Sequence, residues 1–322
     1  MKRLFLLLSC IAISATAYCQ ITISKTAPKV EEKTVVPYDS TLNYLGKKDV
    51  ESYVGQLLYV NGKPESLRKF GYDYFYTKKE GSDFGDTYKE APGSYNSRYE
   101  DLAGKYFYVR EVVPHSKRTE NSYLYGKKWF FHLQNKDDSD DWCWFEYDGE
   151  FEHTFPFITI SYFNWLKNTK VGTKMITAYH ISKENEVQMP INDNDFHTGE
   201  KITFNPSDFW EIVDITILDE DFELVYIVSN GKGITSTMKI DNYCGFSWKM
   251  TQDEYLSLCK KYGKEMVDVA RQQKIKVGMS TELLEKSWGD PEKINRSSYG
   301  SDQWVYGNQY VYVERGVITA WN

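Results

Sequence analysis

The chain has 322 residues, 41% of them hydrophobic and 16% aromatic, with 39 basic against 46 acidic side chains and a formal net charge of −7. An acidic balance argues against nucleic acid or an anionic membrane surface as partner, because both are bound chiefly through clustered Lys and Arg. Of the 5 cysteines, only Cys143, Cys244 and Cys259 lie beyond residue 20, which is no disulfide framework, so stability has to come from buried apolar surface.

Met1-Lys2-Arg3, an apolar run from Leu4 to Ile13 and small residues up to Gln20 follow the three-part pattern of a secretory signal. Cleavage after Cys19, with Ala17 as the other small residue, leaves Gln20 as the new N-terminus and removes two positive charges, with Ala15-Thr16-Ala17 as the second choice of register. A lipid anchor is the less favoured alternative, through the lipobox-like Leu7-Leu8-Ser9-Cys10. The expectation is an exported protein, periplasmic or extracellular. No later stretch is apolar for long enough to make it an integral membrane protein.

Residues 20–48 are rich in Thr, Lys, Glu and Pro without a sustained apolar period and read as an extended leader. Residues 49–188 and 189–250 read as two β-rich modules. "GQLLYV", "YDYFYT", "GKYFYVREVV", "KKWFFHLQN", "DWCWFEYD", "PFITISYF", "TKMITAYHI", "EKITF", "FWEIVDITIL", "ELVYIVSN" and "TSTMKID" are short aromatic and β-branched runs divided by Gly, Asn, Asp and Pro. The stretches 104–148 and 207–241 share one outline, three strands in a meander, of the size of small SH3-like barrels. Any meander gives that outline, so it does not by itself establish duplication.

Helix signals come late. Thr251 and Glu254 form a capping box, followed by Tyr255, Cys259, Tyr262, Met266 and Val269 at helical spacing, which predicts one helix of about twenty residues interrupted only by Gly263. Ser280 caps a second helix carrying Leu283, Leu284 and Trp288, with Gly289 as its left-handed terminator and Pro291 barring continuation. "QWVY", "QYVYVE" and "VITAW" then alternate around the two-residue turns Gly307-Asn308 and Arg315-Gly316. Trp304, Tyr306, Tyr310 and Tyr312 of this meander are the candidate interaction surface. The expected fold is mainly β, antiparallel, followed at 251–322 by a small α/β domain.

Val277-Gly278-Met279-Ser280, Trp288-Gly289-Asp290-Pro291, Gln303-Trp304-Val305-Tyr306 and Glu314-Arg315-Gly316-Val317-Ile318 resemble the SmpA/OmlA domain of the outer-membrane assembly lipoprotein BamE and its relatives. The resemblance covers the last fifty to seventy residues. It implies two helices on a three-stranded antiparallel sheet, as in β-lactamase-inhibitor-protein domains, with Gly278, Gly289, Pro291 and Gly316 defining the fold. It also implies an accessory that binds other proteins without catalysis. Relatives of BamE are short lipoproteins, so their assembly role does not carry over to this longer chain.

No phosphate loop, dinucleotide fingerprint or nucleophile elbow occurs, and no cofactor is expected. "CGFSW" (244–248) has the outline of a cysteine-protease nucleophile context, but no His follows His197 to serve it. His115, His132, His153, His180 and His197 have no metal-ligand spacing. Asp138 and Asp140 in "NKDDSDD", and Asp193 and Asp195 in "NDNDFHTGE", are the weak calcium candidates, since oxygen ligands at alternate positions suit that ion. Two readings follow: a non-catalytic envelope factor with a protein or glycan partner, and alternatively an envelope hydrolase using Asp140, Asp141, Glu152 and His153.

Overall fold

The computed structural model describes residues 36–80, 86–240, 249–298 and 300–322. The signal, the outlined "CGFSW" and most of the expected leader lie outside the described residues. Strands β1 (Leu57–Val60), β2 (Phe75–Tyr76), β3 (Tyr106–Pro114), β4 (Lys128–Asn135), β5 (Trp142–Asp148) and β6 (Phe157–Thr159) form one antiparallel sheet in the order β2-β5-β4-β3-β1-β6. Three single-turn helices, α1 (Glu65–Arg68), α2 (Tyr99–Leu102) and α3 (Ser122–Tyr125), fill its connections. Phe107, Val109, Phe131, Leu133, Cys143, Phe145 and Tyr147 alternate onto its inner face, where they are buried with Tyr53, Phe155 and Phe157.

Part of the expected leader belongs to this core. Tyr38, Tyr44 and Leu45 pack against it, Asn43 exchanges hydrogen bonds with Phe157 O and Thr159 N at 2.8 Å each, and Tyr147 donates to Gly46 O at 2.7 Å. Residues 36–48 therefore behave as a strap on the sheet, because two tyrosines and a leucine in a polar stretch had somewhere apolar to go.

"PFITISYF" is only half a strand. After β6 the chain turns directly into α4 (Ile160–Lys170), whose Leu166 is buried. β7 (Lys174–Thr177), the ribbon β8 (His180–Ile181) and β9 (Val187–Gln188), then β10 (Trp210–Ile217), β11 (Leu224–Ser229), β12 (Thr235–Lys239) and β13 (Lys249–Thr251) follow. Apart from the ribbon they make a five-stranded antiparallel sheet, order β12-β11-β10-β7-β13. The second sheet thus begins at β7, inside the expected first module. "EKITF" makes only a bridge, between Asn194 and Lys201.

The two large sheets share a topology. Taking β1, β3, β4, β5, β6 and β7, β10, β11, β12, β13 as strands one to five, both have the order 4-3-2-1-5, with the fifth strand beside the first. In both, the second strand carries a bulge, at Val109/Glu111 and at Ile212/Asp214, and the fifth leads into a helix. The first sheet adds β2 as an extra edge, and β6 and β13 end the orders on the other side.

The stripe expected as one helix is two, α5 (Gln252–Tyr262) and α6 (Lys264–Arg271), because Gly263 sits at φ 83° and ψ 142°. The break resets the helical phase, so Val267, Ala270 and Arg271 become the buried positions of α6. Thr251 caps α5 through its hydroxyl (3.2 Å from Glu254 N), and Ser280 caps α7 (Thr281–Trp288) in the same way (3.3 Å from Leu283 N). Gly289 ends α7 at φ 82°, the sign expected, but with ψ −169° it is extended and not left-handed helical.

β14 (Lys293–Asn295), β15 (Asp302–Tyr306), β16 (Gln309–Glu314) and β17 (Val317–Trp321) form a four-stranded antiparallel sheet in chain order, one strand more than expected. Arg315 and Gly316 both take positive φ in the β16–β17 turn, as a type I′ hairpin requires. Gly278 N donates to Ile318 O and Thr281 N to Gly316 O, so these glycines join the start of α7 to β17. The core under this sheet is shared: Ile176 of β7 and Met250 of β13 are buried among Leu258, Val267, Leu283 and Trp304.

Candidate functional site

Strand alternation that buries one face of the six-stranded sheet turns the other outward, and between the buried Phe130 and Ile158 part of that face stays accessible. Cross-strand register aligns Leu57, Tyr108, Gln134 and Trp142 in one row, and Glu111, His132, Trp144 and Tyr76 in the next. None of the eight is buried, and Trp142 is 36% exposed. The β3 bulge turns two successive residues, Arg110 and Glu111, outward to this face.

The His132 imidazole lies between two indoles, 4.2 Å from Trp144 with the rings 13° from parallel and 4.6 Å from Trp142 at 30°. Burial in this sandwich holds its pKa below the ordinary histidine value, with Glu111 opposing. The Arg110 guanidinium sits 4.6 Å over the Tyr108 ring and its Nε donates to Gln134 Oε1 at 2.7 Å. Gln134 in turn donates to Ser139 O at 2.8 Å. The face is therefore an ordered alternation of aromatic rings and planar polar groups.

A second concavity, ≈490 Å³, lies where the β1–α1 connection meets the β10–β11 turn. Phe222, at the strained φ of 58°, closes on Gly62, and its carbonyl accepts from Asn61 Nδ2 at 2.6 Å. A Cβ on Gly62 would stand 2.1 Å from the Phe222 ring, so only glycine admits this contact. Lys63 at its edge donates to Gly71 O at 2.6 Å, and burial lowers its pKa. A third, largely apolar groove of ≈450 Å³ runs between Met189–Ile191 and the end of the β11–β12 hairpin.

The residues expected to be functional go elsewhere. Asp138 Oδ1 accepts from Asp140 N at 3.0 Å in a turn. Asp195 accepts from Thr235 N, Thr198 N and His197 N, each at 3.0 Å, and these bonds hold its pKa at about 2. Asp193 takes part in the same loop through its carbonyl, which accepts from Ile202 N at 2.7 Å. Among the described residues no group of three His, Cys, Asp or Glu is placed to hold a metal, and the Asp138 and Asp195 carboxylates, expected as calcium ligands with Asp140 and Asp193, cap turns. Because the folded pKa of Asp195 is depressed, its stabilisation is complete above the unfolded value near 3.8 and is lost as pH falls towards 2. Asp195→Asn is expected to flatten the acid limb of the stability–pH curve in that window. An unchanged limb in urea melts between pH 2 and 5 would refute the assignment.

The four aromatics of the C-terminal meander do not share a face. Trp304 pairs with Val311 and is buried at 6% exposure, while Tyr310 and Tyr312 pair with Val305 and Gln303 on the other side. Tyr306 leans on Trp288, rings 5.5 Å apart, and donates to Gly289 O at 3.1 Å. Trp304 and Tyr306 are thus packing residues. The hydrolase set is divided as well: Asp140 and Asp141 precede β5, whereas Glu152 and His153 follow it at the edge of the Phe222 cleft. Asp141 is occupied by Tyr88 (2.7 Å) and Asn135 (3.1 Å). Cys143 and Cys259 are free thiols, and Cys244 lies outside the described residues.

The outer face was partly legible, since "WCW" and "YFYVR" alternate. What singles it out is register across three strands, which no single segment carries. No helix among the described residues is long and apolar enough to cross a membrane. No protein-family model, curated protein or solved structure matches the chain.

Proposed function

We propose that this is an exported, non-catalytic protein of the cell envelope that works by holding a partner. The observation that carries the reading is the accessible aromatic patch of Tyr108, Trp142 and Trp144 on the outer face of the six-stranded sheet: Tyr and Trp supply large rigid contact area at small entropic cost. The two five-strand units are read as a tandem pair of SH3-like small barrels, supported by their common order with the fifth strand beside the first. The helices and meander after Thr251 are read as a BamE-like module, supported by the capped helix, the two hairpin turns and the glycine positions. A hydrolase gains no such support, because its candidate carboxylates stand at opposite ends of a seven-residue strand, roughly 20 Å apart.

The test is capture. Immobilised protein washed at physiological salt is expected to retain a component of envelope extract, and a Trp142→Ala/Trp144→Ala variant to lose it. Retention of no protein, glycan or lipid would sink the proposal. Hydrolysis of peptidoglycan, abolished by Glu152→Gln or His153→Ala, would replace it with the enzyme reading.

A further inference from the structure

We propose that the row Trp142–Gln134–Tyr108 on the outer face is a glycan-binding strip, which rests on the binding reading above and names its ligand class. Trp142 and Tyr108 lie on either side of β4, two strand spacings or about 9.5 Å apart. That spacing suits one sugar per ring along an extended chain, each on the ring face not taken by Arg110 or His132. Between them stand the Gln134 amide and, from the bulge, the Arg110 guanidinium, with the Glu111 carboxylate beside them; all are planar, and none is buried.

Sugars present apolar C–H faces and a rim of hydroxyls, and this surface presents ring faces with planar donors and acceptors in the same alternation. A protein hot spot has a different layout, an apolar centre sealed from water by a polar surround. Here the polar groups occupy the centre of the row. The parts are also held in place before any ligand arrives: the Trp142 ring is backed by His132, Arg110 is held over Tyr108 and bonded to Gln134, and Gln134 is anchored to Ser139 O. Rigid groups lose little freedom on binding, which favours a weakly bonding, hydroxyl-rich ligand.

The bulge, which β10 shares, is put to use in the strip. Without the extra residue in β3, Arg110 and Glu111 would fall on opposite faces, and one would enter the core beside Val109 and Leu133.

The experiment is affinity electrophoresis of the full chain in gels containing a soluble β-glucan, a xylan or an alginate, with pelleting on purified peptidoglycan sacculi as a further arm. Retardation or pelleting by at least one polymer is expected, weakened tenfold or more by Trp142→Ala and by Tyr108→Ala and largely restored by Trp142→Tyr. Tyr123→Ala, which removes an aromatic that is 94% exposed on α3, should leave it unchanged. Circular dichroism melts of each variant separate loss of binding from loss of fold. No interaction with any polymer overturns the strip. So does binding that survives both Trp142→Ala and Tyr108→Ala, or that Tyr123→Ala weakens equally. Capture of a protein from extract without any polymer binding would refute the glycan while leaving the envelope-binding reading standing.

Discussion

Arg271→Ala is expected to lower the unfolding free energy by about 3–5 kcal/mol, the range for removing one partner from a buried charged network. The Arg271 side chain is 1% exposed. Nε and Nη2 both donate to Thr177 O at 3.0 Å, Nη2 also donates to Pro206 O at 2.6 Å, and Nη1 meets Asp268 at 3.0 Å. The guanidinium lies 5.0 Å from the Tyr179 ring centroid and 5.4 Å from that of Tyr255. Alanine would leave two backbone carbonyls without their donors and a void between two rings. Asp268, whose carboxyl burial pushes up, is held below its ordinary pKa by Lys264 and Arg271, and would lose one of those cations. Arg271→Lys keeps the charge but not the planar fork that serves Thr177, Pro206 and Asp268 at once, so it should recover only part of the loss. Urea unfolding followed by circular dichroism measures both. An Arg271→Ala midpoint indistinguishable from wild type would mean the network contributes nothing net.

Nothing in the sequence marked Arg271. It stands at the end of an amphipathic helix, where a cation is ordinary. Its carbonyl partners are 94 and 65 residues away, and only the fold brings them together. The same holds for the contact of Asn61 with Phe222, separated by 161 positions. Features fixed within a few residues were legible: the Thr251 and Ser280 caps, the turns at Gly307 and Arg315-Gly316, and the alternation of β3 to β5.

Trp304 lies between these cases. A two-residue turn at Gly307-Asn308 obliges Tyr306 to face Gln309 and so Trp304 to face Val311. Parity alone therefore separates Trp304 from Tyr310 and Tyr312, although which side is buried depends on α5 to α7 above it. α4 was hidden for a different reason: "ITISYFNW" is β-branched and aromatic, and local propensity pointed to a strand where packing between the two sheets imposed a helix. At Gly263 the apolar spacing was read correctly and the backbone overruled it, since a positive φ ends α5 and the stripe restarts on a new phase.

The other large effect concerns where the C-terminal part can be cut. A fragment of residues 251–322 carries α5 to α7 and the whole four-stranded sheet, yet Ile176, Met250 and Phe209 of its core lie outside it. Ile176 and Met250, at 0% and 4% exposure, belong to that core, and Phe209 packs edge-on against Tyr255 with centroids 5.7 Å apart. Tyr179 N donates to Arg271 O at 3.0 Å, and Gln272 reaches the Tyr179 hydroxyl at 2.9 Å. Removing β7, the loop through Phe209 and β13 would expose Tyr255, Leu258, Val267 and Ala270 and leave the Arg271 guanidinium without its carbonyls. A segment of about seventy residues has little stability to spare. Residues 251–322 alone are therefore expected to show no cooperative thermal transition, whereas a fragment from residue 160, which keeps α4 with its buried Leu166 and restores the five-stranded sheet, should melt as a unit. Calorimetry of the two fragments decides between them. A sharp transition in the shorter one, near the melting temperature of the full chain, would show that α5 to α7 and β14 to β17 are self-sufficient and that the shared core only docks them.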